Sequence, residues 1–228
     1  MALLLAGIVA IPATAQGVIV IGKKQIYRRP RPLDEGKRTF SIRRPIAKTA
    51  NASLSRKITK ALKPESVLGI RVNDEMRDYQ WLYEADFRVQ YNGNGVLTVE
   101  EWMEGSGAYP SSVAKHVVVN TVTGNRVRPV DIFNNLSSLA RMVKRRQSEE
   151  VRAAIVKSED SAPLFAETNF TVKDLFDFSV GTTGVTFHYN YGFPHAILAE
   201  QPDGEFAFSW KEISPFIRRD GLLARFIR

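Results

Sequence analysis

Apolar positions recur at every second residue between residues 80 and 122. Trp81, Tyr83, Ala85, Phe87, Val89 and Tyr91 fall on one face of an extended segment, the period of a strand with one side against a core. Asn92-Gly-Asn-Gly95 is a hairpin signal, because these residues tolerate the left-handed backbone of a tight turn. Val96 to Met103 is therefore predicted to return as the partner strand. The stretch EGSGAYPSS, residues 104 to 112, separates it from a third strand, Val113 to Val122, which Thr123-Gly-Asn125 closes. Gly105 and Gly107 are expected to supply backbone angles closed to other residues, and Pro110 to fix the exit, giving a rigid connection between strands.

Elsewhere the period alternates between helix and strand. Phe40-Ser-Ile-Arg reads as a half-buried strand. Asn51 opens a helix with a stripe of Leu54, Ile58, Ala61 and Leu62, ended by Lys63-Pro64. Asp131 is placed to cap a short helix before Asn134, and Leu136, Leu139, Val143, Val151 and Ile155 carry helical spacing through residue 157. Phe176, Phe178 and Val180 precede the Gly181-Thr-Thr-Gly184 turn, with Val185, Phe187 and Tyr189 after it. Phe206, Phe208 and Trp210 alternate again, and Ser209 with Glu212 has capping-box spacing for a terminal helix. The fold class is α+β: an antiparallel meander with helices packed on one side, preceded by a small strand-helix lobe.

Charge changes the picture at the N-terminus. The formal charge of +8 is uneven, since residues 23 to 63 hold 14 Lys/Arg against Asp34 and Glu35. Residues 1 to 15 join an apolar run to Pro12 and a small-x-small triplet, the grammar of a secretory signal peptide, which implies export to the periplasm or exterior. Residues 16 to 39 mix charge with proline and read as a basic tether, suited to an anionic envelope surface. Residues 40 to 79 form the strand-helix segment, and residues 218 to 228 a basic C-terminal tail. With no cysteine, disulfide scaffolds, Cys-zinc sites and thiol nucleophiles are excluded.

Candidate chemistry is sparse. His188 and His195 are seven apart and lack the spacing of a metal-ligand pair, and His116 reads as the edge of a strand. Glu100, Glu101 and Glu104 could act as paired acids on a carbohydrate, although alternating acids also decorate the wet face of a strand. No hydrolase elbow, zinc helix, phosphate loop or dinucleotide fingerprint occurs. The cluster Arg141-Met-Val-Lys-Arg-Arg146 has no interleaved stacking aromatics, so nucleic acid is not an expected partner. No cofactor is implied.

The order of the short motifs is more specific than any one of them. Gly105-Ser-Gly-Ala-Tyr109-Pro110, Thr123-Gly-Asn125, Asp131-Ile-Phe133 and the run from Phe170 to Ile213 follow in sequence. This order resembles the extracytoplasmic domain of RsiV-type anti-sigma factors and PdaC-type peptidoglycan deacetylases, over about residues 40 to 217, with residues 80 to 217 as the domain proper. Tyr109 stands where that family's loop has a histidine. The resemblance implies a non-catalytic module that recognises an envelope partner, lysozyme or peptidoglycan. The rival readings are a carbohydrate hydrolase using the paired carboxylates, and a structural domain attached to the envelope. Tyr191, Phe193, Pro194 and His195 on the Tyr189–Leu198 turn, with Tyr109, are the expected partner contacts, as rings projecting from a stiff frame.

Overall fold

The computed structural model describes residues 17–157, 159–166 and 168–227. The signal-peptide expectation, residues 1 to 15, lies outside these. Two sheets carry the architecture. The larger has the order β1 (Ile19–Arg28), β2 (Thr39–Lys48), β3 (Leu82–Gly93), β4 (Val96–Ser106), β5 (Pro110–Asn120). Its neighbours are antiparallel except for a short parallel contact of β2 with β3 at Ser41 and Ile42. The smaller sheet is β6 (Phe178–Val180), β7 (Gly184–His188), β8 (Glu205–Ser209).

The predicted meander is present, with Asn94 and Gly95 both at positive φ in the β3–β4 turn. The alternation along β3 is interrupted, because its register on β4 shifts between Leu82 and Glu84 and again between Val89 and Tyr91. Such bulges move side chains to the other face. Ala85 is buried, whereas Tyr83 and Val89 of the same predicted face are exposed.

Three helices, α1 (Ala52–Ala61), α2 (Pro64–Val67) and α3 (Val72–Arg77), follow β2. Asn51 caps α1 by accepting from the Ser53 and Leu54 amides. The α1 residue Ile58, with Leu62 just beyond the helix, packs on Leu97, Val99, Val117 and Val119 of β4 and β5. The opposite face of the sheet meets the small sheet, where Val96 and Val118 join Phe178, Phe187, Phe206 and Phe208 in the main core. The long helix α5 (Leu136–Lys157) adds Leu139 and Val143 there. It is preceded by α4 (Pro129–Ile132), in which Asp131 sits at the third position and its carboxylate accepts from the Arg128 amide. The cap position predicted for Asp131 belongs instead to Arg128. Ser209 and Glu212 form the expected capping box of α6 (Trp210–Ile213).

Two segment assignments are corrected. Of the predicted tether, residues 16 to 39, the described part from residue 17 onward is not a tether. Residues 19 to 28 pair with β2 across ten consecutive positions, so backbone hydrogen bonds replace the burial that their charge and proline content cannot provide. Arg29 is 2% exposed. Its guanidinium donates to the carbonyls of Lys37, Glu75 and Leu82 and to the Glu75 carboxylate, and it lies 4.7 Å from the Phe40 ring centre. Of the predicted C-terminal tail, residues 218 to 228, the described part through residue 227 is not a free tail either: Leu223 and Ala224 are buried, and Phe226 stacks on Trp210 at 4.3 Å.

Candidate functional site: the seam along β5

The EGSGAYPSS stretch is a tight hairpin in which Ser106 pairs with Pro110. Gly105 and Gly107 have ordinary negative φ, contrary to expectation. Gly105 is required for a different reason: a Cβ there would overlap the Trp81 carbonyl, to whose oxygen the Ser106 amide donates at 2.9 Å. At the tip, Tyr109 is 65% exposed and stacks on His195 with ring centres 4.9 Å apart. Two of the predicted contact residues are thus brought together.

The other aromatic residues of the predicted site turn inward. Tyr191 and Phe193 are 8% and 7% exposed and pack against Phe165, at 5.5 and 5.0 Å between ring centres. The Tyr191 hydroxyl donates to Glu150 at 2.6 Å. Burial and that carboxylate together hold it protonated beyond the ordinary phenol range. Neither ring projects, which corrects the expectation of anchors at these positions: the loop closes over the end of α5, where Val151, Ala154 and Ile155 supply its apolar floor. Pro194 and His195 remain exposed.

Midway along the seam is a cluster that the sequence does not announce. His116 of β5 and His188 of β7 stack at 3.5 Å between ring centres, nearly parallel. Asp177 accepts from the His116 backbone amide, contacts its Nδ1 at 2.9 Å and pairs with Lys115 at 3.1 Å. Burial pushes the Asp177 carboxyl up, but the His116 hydrogen bond and the Lys115 charge prevail and hold it below its ordinary range. Burial, reinforced by His116, drives the His188 imidazole down to about 4. It is therefore neutral at physiological pH, with Nε2 2.9 Å from Ser179 Oγ.

These groups line an open cleft of about 530 Å³ between the edge of β5, α2 and the start of the small sheet. Val67, Val127 and the exposed Phe176 supply apolar surface. Lys115, Arg126, Arg128 and Lys173 line it together with Asp174 and Asp177, an excess of cations. Phe176 was legible only as an apolar strand position; its exposure at the cleft follows from the short 3-10 turn Asp174–Phe176.

The candidate carboxylates do not assemble. Glu100 and Glu101 are adjacent on β4 and so point to opposite faces. Glu100 pairs with Arg88, and Glu101 is wholly buried beside α2 with neither carboxylate oxygen partnered. Glu100 and Glu104 share a face but are separated by about 13 Å along the strand, beyond the spacing of glycosidase pairs. Burial raises the Glu101 carboxyl to about 8, opposed by the Arg126 charge. Among the described residues no three His, Asp or Glu side chains are disposed to hold a metal ion, and no helix is long and apolar enough to cross a membrane.

This arrangement of the two sheets and their packed helices has solved counterparts. A DUF3298 family member from Bacteroides fragilis superposes with a TM-score of 0.61 at 12% identity, covering 93% of this chain and 98% of the other. A DUF3298 family protein from Pseudomonas aeruginosa gives 0.59 at 10% identity, covering 88% and 94%. The fold is shared with DUF3298 proteins. No family model and no curated protein sequence matches the chain. At these identities the likeness concerns the fold.

Proposed function

We propose that the chain is a non-catalytic binding module of the cell envelope, of the RsiV/PdaC kind, and that its partner enters the cleft along β5. The observation that carries this reading is the cleft itself. It is open, combines the exposed ring of Phe176 with basic and imidazole groups, and is built from both sheets. Binding sites characteristically join apolar surface to a few placed polar groups. The resemblance in motif order supplies the partner class: lysozyme or peptidoglycan. Tyr109 and His195, at the end of the same seam, would extend the contact.

The test is titration of the protein against lysozyme and against soluble peptidoglycan fragments, in wild type and Phe176→Ala. Phe176 is exposed, so its truncation should leave the melting temperature unchanged while costing at least about 1 kcal/mol of affinity, the threshold for an interface hot spot. Undiminished affinity in Phe176→Ala would move the site away from the cleft. Steady release of cleaved peptidoglycan by the wild type would replace a binding module with a hydrolase.

A further inference from the structure

The cations of the cleft differ in how far they are neutralised. Lys115 is paired with Asp177 and Arg128 with Asp131. Arg126 donates only to neutral acceptors, the Ala61 carbonyl at 2.6 Å and Ser66 Oγ at 3.3 Å. Among the described residues neither Arg126 nor Lys173 forms an ion pair, and both line the cleft.

The carboxyl whose charge acts on Arg126 is Glu101, and among the described residues neither Glu101 oxygen has a hydrogen-bond partner, Arg126 included. Glu101 has Phe87 opposite it on β3 and Lys115 opposite it on β5. From α2 comes Glu65, itself held by Arg44 of β2, with Lys63 just before the helix. From the turn after β5 comes Arg126. One Glu65 oxygen and both Glu101 oxygens are buried without a partner.

We propose that the cleft takes a ligand bearing carboxylate or phosphate groups, seated on Arg126 and Lys173, and that the buried Glu101 sets how much positive charge Arg126 offers it. The proposal rests on the cleft being the binding site and names the chemistry of its ligand. Guanidinium and ammonium groups not already matched by carboxylates form strong, charge-assisted hydrogen bonds to oxyanions. While Glu101 holds its proton, Arg126 has no competing negative charge behind it. Once Glu101 ionises, it and the ligand oxyanion compete for the same guanidinium. Anion binding is then linked to proton retention at Glu101, and affinity should weaken as pH rises through about 8.

Two probes separate the sources of the oxyanion: oligoglutamate for carboxylates and polyphosphate for phosphates, titrated at fixed ionic strength. At least one should bind the wild type. Arg126→Gln and Lys173→Gln should each weaken it at least tenfold, while Lys144→Gln, which removes an exposed charge on α5 outside the cleft, should change it less than twofold. Lys173 is exposed, so its variant tests the site even if Arg126→Gln fails to fold. Equal losses in all three variants would mean diffuse attraction to a basic protein and would overturn the assignment.

The pH arm uses whichever probe binds. Oligoglutamate stays fully ionised between pH 7 and 9; polyphosphate is compared as the ratio of wild type to Glu101→Gln. Wild-type affinity should fall at least threefold over that range and Glu101→Gln should stay level, and parallel curves would overturn the role of Glu101. If neither probe binds but lysozyme or peptidoglycan does, with the loss in Phe176→Ala, the oxyanion assignment fails and the binding-module reading stands. If nothing binds, both fall.

Discussion

Replacing Glu101 by glutamine removes an ionisation that the native fold resists. The side chain is 0% exposed and its oxygens lack partners, so desolvation of the charged form dominates and the carboxyl titrates near 8 instead of 4.5. Between these values the unfolded chain has released the proton and the native state still holds it. More protons are bound to the native state, so stability falls as pH rises across that window. The full difference of 3.5 units, at 1.36 kcal/mol each, comes to about 5 kcal/mol at most. At pH 5 the two proteins should differ by less than about 1 kcal/mol. At pH 8.5 Glu101→Gln should be more stable by several kcal/mol, because it keeps the shape and has no charge to bury. Urea unfolding of both proteins from pH 5 to 9 measures this. Taking the difference between them cancels every other titrating group. A difference that stays flat with pH, or a variant that is less stable at pH 8.5, would refute the view of Glu101 as an uncompensated buried acid.

Three further outcomes follow from the packing. His188 titrates near 4 in the native state and near 6.5 when unfolded, so stability should fall as pH drops from 6.5 to 4, by about 3 kcal/mol in all, and His188→Gln should remove that loss in acid denaturation curves. Arg29→Ala should cost about 3–5 kcal/mol in urea, because it leaves the Glu75 carboxylate buried without its charged partner; a change below 1 kcal/mol would mean that this pair does not hold the segment after β1 in place. Phe193→Ala should lower stability by about 3–5 kcal/mol, as for other buried rings, and an unchanged melting curve with a specific binding defect would return Phe193 to the surface.

The meander, α1, α5 and the capping box of α6 were legible because each has an apolar period or a side-chain cap that is local in sequence. Strand β1 was not, because little of it is buried. Lys23, Lys24 and Gln25 are exposed on an edge strand, and what fixes the strand is its pairing with β2, a contact that composition cannot signal. The direction of Tyr191 and Phe193 was illegible for a related reason: an aromatic turn is the same string whether it projects or folds over the end of a helix. The stacked pair His116 and His188 joins strands of different sheets 72 residues apart, and no spacing rule spans that distance. Phe176 reads as one more strand residue until a 3-10 turn places it at the mouth of the cleft. The three glutamates on β4 were visible, but only the strand geometry decides that Glu101 faces away from the other two and that Glu100 and Glu104 lie too far apart to act as a pair.

If a partner occupies the cleft along β5, amide hydrogen exchange of the protein with and without saturating peptidoglycan fragments or lysozyme will register it at the cleft's own backbone. With a partner in the cleft, exchange should slow in residues 115–117, 126–128 and 173–178, the segments that border it, with β1 unaffected. Protection confined to the β1 edge, or none at a saturating concentration of a ligand shown to bind, would contradict that occupancy.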